Sequence, residues 1–289
     1  MILCFDDEVG FARALGLASG LPVQRIARHR FPDGELKLTL PPRLDAEVSI
    51  LRSLHRPNEK LVELVLAARA ARELGAREVT LVAPYLAYMR QDSAFEPGEV
   101  VSQKVIGRLL ADLFDAVVTV DPHLHRVATL AEAVPLARAV ALSAAPLIGH
   151  FVAMRGRAPM LVGPDAESAQ WVHVAATHNA LPWTVCRKTR HGDTDVDIEL
   201  PAQEIRGREV VLIDDVASSG QTLATAARRL LAAGAARVDA VVTHAVLAPE
   251  AGERLRSAGI SEFWSTDSVP HESNALSVVP LLADALRPA

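Results

Sequence analysis

VVLIDDVASSGQTLATAARRLL, residues 210 to 231, is the stretch whose reading decides the fold. Four apolar residues, three of them β-branched, lead into Asp214 and Asp215, then into Ser218, Ser219, Gly220, Gln221 and Thr222, and then into an alanine- and leucine-rich helical pattern. A short β-branched run feeding a helical period predicts a buried parallel strand followed by a helix. The small polar residues then stand at the helix N-terminus. There the unpaired backbone N–H groups and the positive end of the dipole favour an anion such as phosphate. The two acids fall at the carboxyl end of the strand, beside the crevice where open α/β sheets take ligands. Carboxylates do not attract phosphate, so their partners are hydroxyl groups or a divalent cation. A sugar phosphate offers both kinds of group. A plainer reading, that Asp215 or Ser218 only caps the helix, explains one residue but not the doubled acid together with the small loop.

The rest of the sequence bounds the class. With 289 residues, half of them apolar, the chain has enough material for two domains of ordinary size. Its two cysteines, Cys4 and Cys186, argue against a disulfide scaffold and predict a reducing, cytoplasmic setting. The start MILCFDDEVG lacks a basic region, so no secretory signal peptide is predicted. No apolar run reaches membrane-spanning length. A net charge of −5 argues against broad nucleic-acid binding.

Strand and helix patterns alternate along the whole chain, which predicts parallel α/β architecture. ILCF, VSILRSL, VTLVAPY and AVVTVD read as strands of a first half. MLVGPD, WTVCRK, VVLIDD, VDAVVTHAV and EFWST read as strands of a second. No low-complexity linker separates the halves. The boundary is expected near residue 142, in ARAVALSAAP, giving domains 1–142 and 143–289. Both halves end a strand with acid, at Asp121 and at Asp214 and Asp215, so a duplicated domain is expected whose first copy lacks the phosphate loop.

Residues 210 to 222 resemble the phosphoribosyl-diphosphate (PRPP) binding motif of the type I phosphoribosyltransferase fold. That motif marks a superfamily containing both transferases that consume PRPP and synthetases that make it. Five other stretches resemble the synthetases, the ribose-phosphate diphosphokinases. In RFPDGELKL, residues 30 to 38, the local signal is a turn in a plain hairpin. The resemblance implies that Phe31, Asp33 and Glu35 reach the ATP site of a neighbouring subunit, Phe31 packing on the adenine. Arg90, Gln91 and Asp92, in PYLAYMRQD, could be solvated loop residues. The resemblance assigns them to ATP, and a guanidinium can fork onto phosphate oxygens. In VTVDPHLH, His123 matches the histidine that helps to hold the metal of MgATP, although Mg²⁺ prefers oxygen ligands. Pro122 stands where the family usually has Leu, and His125 has no counterpart.

MLVGPDAESAQ resembles the family's Ser-Pro-Asp segment and implies that Asp165 binds the ribose side or a magnesium ion. Glu167 and Ser168 replace glycines found in many members. In WTVCRKTRHGD, Lys188 and Arg190 would by themselves be a solvated basic loop. The resemblance makes them catalytic cations on a mobile loop that closes over the transferring diphosphoryl group, a role that suits phosphoryl transfer. The tail, STDSVPHESNALSVVPLLADAL, also resembles the family.

The resemblance therefore implies two tandem phosphoribosyltransferase-like domains, each a mostly parallel sheet flanked by helices. It further implies a ribose-phosphate diphosphokinase that uses ATP, ribose 5-phosphate and Mg²⁺ and works as a homo-oligomer, at least a dimer. Asp214 and Asp215 would hold ribose hydroxyls, and Ser218, Ser219, Gly220, Gln221 and Thr222 the 5-phosphate. Gln221 stands where the family usually has Gly. Two rivals remain: a phosphoribosyltransferase, which would have no use for Phe31 or the Arg90 segment, and a non-catalytic regulatory homologue, toward which only Glu167 and Gln221 point.

Overall fold

In the computed structural model, which describes residues 1–155, 158–190, 196–199 and 205–287, the apolar runs build two six-stranded sheets, one in each of two units. The first unit comprises Met1–Leu142 and the C-terminal segment from Val278, and the second comprises Ser143–Ser277. Along the first unit come β1 (Ile2–Cys4), α1 (Val9–Ser19), β2 (Val23–Arg25), β3 (Ala27–Arg30), β4 (Leu36–Thr39), β5 (Glu47–Leu51), α2 (Pro57–Glu73), β6 (Glu78–Ala83), α3 (Ser102–Leu113), β7 (Ala116–Val120), α4 (Leu130–Ala133) and β8 (Arg138–Leu142). Sheet order is β2-β1-β5-β6-β7-β8, with every neighbouring pair parallel. Strands β3 and β4 form a separate antiparallel ribbon. Helices cover a parallel sheet on both faces, which is why β7 reads AVVTV and is buried throughout.

The second unit repeats the plan with α5 (Ala145–Ala153), β9 (Met160–Gly163), α6 (Ala169–Thr177), β10 (Trp183–Val185), β11 (Arg187–Arg190), β12 (Val196–Glu199), β13 (Glu209–Ala217), α7 (Gln221–Ala232), β14 (Arg237–Ala245), α8 (Ala251–Ser257), β15 (Ile260–Thr266) and β16 (Asn274–Leu276). Its order, β10-β9-β13-β14-β15-β16, matches the first sheet position by position and is again parallel throughout. The antiparallel ribbon β11–β12 occupies the same place in chain order as β3–β4. Helix α7 buries Leu223, Ala224, Ala226, Ala227 and Leu230 in the core. Each leucine so buried contributes about 1.5–3 kcal/mol.

Two sequence expectations change. The last helix, α9 (Val279–Leu286), was expected in the second domain. It packs on α1, and the segment groups with the first unit because its apolar face finds its partner there. Asp121 was expected to match Asp214 and Asp215. By strand order, however, β13 corresponds to β5, and Asp121, which follows β7, corresponds to the end of β15. The counterpart of the acids is therefore the segment that starts at Arg52. Among the described residues no helix is long and apolar enough to cross a membrane.

Candidate functional site

At the carboxyl ends of β9 and β13 the chain reverses its order across the second sheet, the position at which such sheets open a crevice. Strand β9 delivers Asp165 there, and β13 delivers Asp214 and Asp215. Asp165 is 9 % exposed and Asp215 is 3 % exposed. Asp214 keeps some surface, but packed protein surrounds its carboxyl group, whose proton affinity rises well above the ordinary carboxylate range. Burial is the largest cause, followed by the charges of Asp215 and Asp165. Three acids thus share one strand-end crevice, an arrangement that attracts hydroxyl donors or a cation.

The Asp165 turn is closed by side-chain hydrogen bonds. Asp165 Oδ1 accepts from the N–H of Glu167 at 3.1 Å and of Ser168 at 3.3 Å, while Ser168 Oγ donates to the Asp165 carbonyl at 2.6 Å. Ser168, fully buried, closes the turn that Asp165 begins.

Beyond β13, Gly220 adopts φ +72°, and a Cβ there would meet Leu255 Cδ2 at 3.2 Å. Both facts favour glycine at the entry to α7. Ser219 Oγ accepts from the Gln221 N–H at 3.3 Å. The Gln221 side chain donates to Thr225 Oγ1, at 3.3 Å and one turn along the helix, so it lies along α7. Ser218, Ser219, Gly220, Gln221 and Thr222 together form the small-residue entry to a 12-residue helix, which suits a phosphate.

The structure also bears on magnesium. Asp165, Asp214 and Asp215 offer only carboxylate oxygens, the donors that Mg²⁺ prefers, and a cation would relieve the repulsion that raises Asp214. Their donor chemistry therefore suits the ion. Among the described residues no three His, Cys, Asp or Glu side chains already form a metal-binding group. His123, the other metal candidate, is partly buried just after β7 in the first unit; its imidazole is the weaker donor for Mg²⁺.

The remaining ATP candidates also lie in the first unit. Phe31, 40 % exposed, starts the turn of the β3–β4 ribbon, where its N–H donates to the Glu35 carbonyl at 2.8 Å. Asp33 Oδ1 accepts from the Glu35 N–H at 3.1 Å, so all three residues share one tight turn. Ion pairs from Arg28 to Glu63 and from Arg30 to Glu59 hold the ribbon on α2. Arg90 is exposed on the segment after β6. The Gln91 side chain donates to the Ser93 carbonyl at 3.0 Å. The Asp92 side chain is only 3 % exposed, and its Oδ1 accepts from Arg126, which also donates to Ser93 Oγ, each at 2.7 Å. Asp92 therefore shapes the segment from inside. The sequence reading missed Arg126, since nothing in its spacing signals a partner more than 30 residues earlier. Lys188 and Arg190 fall on β11, and their side chains lie outside the described part of the chain.

At the end of β5, the counterpart of the acidic strand end, Arg52 is 1 % exposed. It pairs with Asp7 at 2.8 Å, Glu8 at 3.0 Å and Glu63 at 2.5 Å, and its guanidinium lies 4.6 Å from the Phe5 ring centroid. Lys60 Nζ donates to the Ser53 carbonyl at 2.6 Å and lies 3.2 Å from His55 Nδ1. Burial, then the charges of Lys60 and Arg52, push His55 down to about 4. The first unit lines this crevice, a cavity of about 330 Å³, with its own charges.

Comparison with known proteins gives two domain models in succession along the chain. Residues 1–113 match the model of the N-terminal domain of ribose phosphate pyrophosphokinase, and residues 127–273 match the phosphoribosyl transferase domain. The ribose-phosphate pyrophosphokinase of Methanopyrus kandleri is 36 % identical over 99 % of this chain and 98 % of its own. Ribose-phosphate pyrophosphokinase 2 of Archaeoglobus fulgidus is 34 % identical over 94 % of this chain and 95 % of its own. The crystal structure of phosphoribosylpyrophosphate synthetase from Mycobacterium smegmatis shares the fold, with a TM-score of 0.84 over 99 % of this chain and 96 % of that one at 23 % identity. Two domain models in the right order and relatives aligned from end to end place this chain in the ribose-phosphate pyrophosphokinase family.

Proposed function

We propose that this chain transfers the β,γ-diphosphoryl group of ATP to the anomeric hydroxyl of ribose 5-phosphate, giving PRPP and AMP. The observation that carries the reading is the pairing of buried acids at one strand end with a small-residue helix entry, in a chain that matches its relatives over nearly its full length. Asp214 and Asp215 accept hydrogen bonds from the ribose hydroxyls. Residues Ser218 to Thr222 present backbone N–H groups to the 5-phosphate. Phe31, Asp33 and Glu35 serve the adenine, Arg90 the triphosphate, and Asp92 with Gln91 holds the Arg90 segment in shape. His123 is assigned to the Mg²⁺ of the nucleotide and Asp165 to the ribose side or a second Mg²⁺; such ions would supply positive charge against the transferring phosphates. Lys188 and Arg190 add charge that counts most in the transition state.

Partner and setting follow from the same reading. Phe31 lies on a ribbon turn that exposes it, which suits an adenine pocket completed by a second copy of the chain. Both thiols are buried, and burial raises Cys4 to about 11 and Cys186 to about 12. Such thiols are unreactive, which agrees with a cytoplasmic enzyme whose cysteines have only a packing role. The test is incubation with ATP, Mg²⁺ and ribose 5-phosphate, with AMP and PRPP measured as products. Equal amounts of the two are expected. Failure to form AMP, or consumption of PRPP with a free base in place of its synthesis, overturns the reading.

A further inference from the structure

The segment that follows β14 runs beside the loop that follows β13. The N–H of Val246 donates to the Ala217 carbonyl at 2.9 Å, and that of Ala248 to the Ser218 carbonyl at 3.0 Å. The next carbonyl, that of Ser219, accepts from Arg254 Nη1 on α8. Three consecutive carbonyls thus point toward one segment. All described peptide bonds are trans, and a trans peptide sets its N–H opposite its C=O. The N–H groups of Ser218, Ser219 and Gly220 therefore point away from that segment, as an array suited to an anion.

The three anchors differ in kind. Two come from backbone donors, and the third depends on a single side chain. That third peptide leads into Gly220 at φ +72°, where glycine's conformational freedom leaves the orientation weakly enforced from within. Charge points the same way. Residues 210–222 contain no Lys or Arg, and Asp165, Asp214 and Asp215 bring three carboxylates to the neighbouring strand ends. A phosphate dianion arriving here requires a cation, and the Arg254 guanidinium is already seated against the loop.

We propose that Arg254 is a positioning residue for the ribose 5-phosphate site: it fixes the Ser219–Gly220 peptide so that the Gly220 N–H faces the phosphate, and it supplies positive charge behind the loop. The inference rests on assigning this loop to the 5-phosphate.

Three variants test it: Arg254→Ala, Arg254→Gln and Arg254→Lys. Each is assayed for KM of both substrates, for kcat, and for ribose 5-phosphate binding by calorimetry, which does not depend on turnover. Loss of a charge-assisted hydrogen bond predicts a rise of about tenfold in the ribose 5-phosphate KM and Kd of Arg254→Ala. The ATP KM should stay within about twofold, because the change is confined to one ligand. Arg254→Lys, which keeps a donor and the charge, should recover most of the loss, and Arg254→Gln less. If Arg254→Ala does not fold, the ordering of Lys above Gln decides. Equal changes for both substrates, unchanged ribose 5-phosphate binding, or a Lys variant no better than Gln would overturn the proposal. Absence of PRPP synthesis by the unaltered protein would instead overturn the underlying function, and calorimetry with ribose 5-phosphate would still judge Arg254.

Discussion

The two units place different chemistry at the same topological point. At the end of β13 stand Asp214 and Asp215, followed by a loop of small residues. At the end of β5 stand Arg52, Ser53, Leu54, His55 and Arg56, and then Pro57 opens α2. Parallel strand order alone creates a crevice in both. What fills it depends on side-chain size and sign. Small residues after β13 leave backbone N–H groups facing outward, and carboxylates close together leave a charge deficit that a ligand can meet. After β5, one guanidinium pairs with three carboxylates of its own unit, so the cavity of about 330 Å³ there is lined by charges that already face one another. The two sheets share one strand order, and only the second pairs acids with a small-residue helix entry at this strand end.

The largest effects should separate the two ribbons. Lys188→Ala on β11 should lower turnover by about a thousandfold or more while leaving ATP binding nearly intact, since its partner charge grows only in the transition state. Phe31→Ala, at the β3–β4 turn, should instead raise the ATP KM by about ten- to a hundredfold, from the ~1–3 kcal/mol of lost base stacking. Steady-state kinetics with each substrate varied distinguishes the two. If the second-copy arrangement holds, mixing and reassembling the two variants should restore part of the activity at ATP concentrations well below the raised KM. Matching kinetic signatures, or no recovery in mixtures verified by mass, would show that the ribbons do not divide the labour in this way.

Next in size is a contrast in stability. Arg52→Leu leaves Glu8 as a buried carboxylate without its guanidinium and Glu63 with Arg28 alone, and breaking a buried pair in this way costs about 3–5 kcal/mol. Asp214→Asn acts in the opposite sense. A carboxyl whose proton affinity is raised by burial and by Asp215 and Asp165 penalises the folded state above its unfolded pKa. The amide removes that penalty, so the melting temperature should rise while activity collapses. Thermal denaturation of both variants at neutral pH gives the signs directly. Tolerance of Arg52→Leu would mean that the network is dispensable, and destabilisation by Asp214→Asn would mean that the acids are structural.

Much of the second crevice was legible in the sequence because its signal is local: a β-branched run, two acids, small residues and a helical period follow one another within residues 210–231. The Pro32-Asp33-Gly34 turn was legible for the same reason. The correspondence between units was not. An acid after a strand is a common and short signal, and Asp121 was matched to Asp214 on that basis. Only the sheet order, fixed by hydrogen bonds between strands far apart in sequence, shows that Arg52 holds the equivalent place. Arg254 and Arg126 were missed for a related reason, since each acts on a loop more than 30 residues away. The last helix carries an apolar pattern but no indication of which sheet it will cover.

The smallest expected effect concerns acid stability, and it sharpens the contrast between the crevices. Burial and the charges of Lys60 and Arg52 depress His55 from 6.5 to about 4, so the folded protein resists a proton that the unfolded chain accepts. Between those values the unfolded state binds more protons, and stability is lost as pH falls from 6.5 toward 4. Asp214 runs the other way: its raised affinity makes stability fall as pH rises from its unfolded value through its folded one. His55→Gln should therefore flatten the acid limb of a stability–pH curve, with little change above pH ~7. Asp214→Asn should leave that limb in place and remove the opposing slope. The measurement is chemical denaturation at steps between about pH 4 and 7, where the slope reports the difference in bound protons. An unchanged slope in His55→Gln would mean that the imidazole titrates alike in both states. The charges after β5 would then be solvated, and the contrast between a crevice whose charges pair within the unit and one whose acids await a ligand would fail with them.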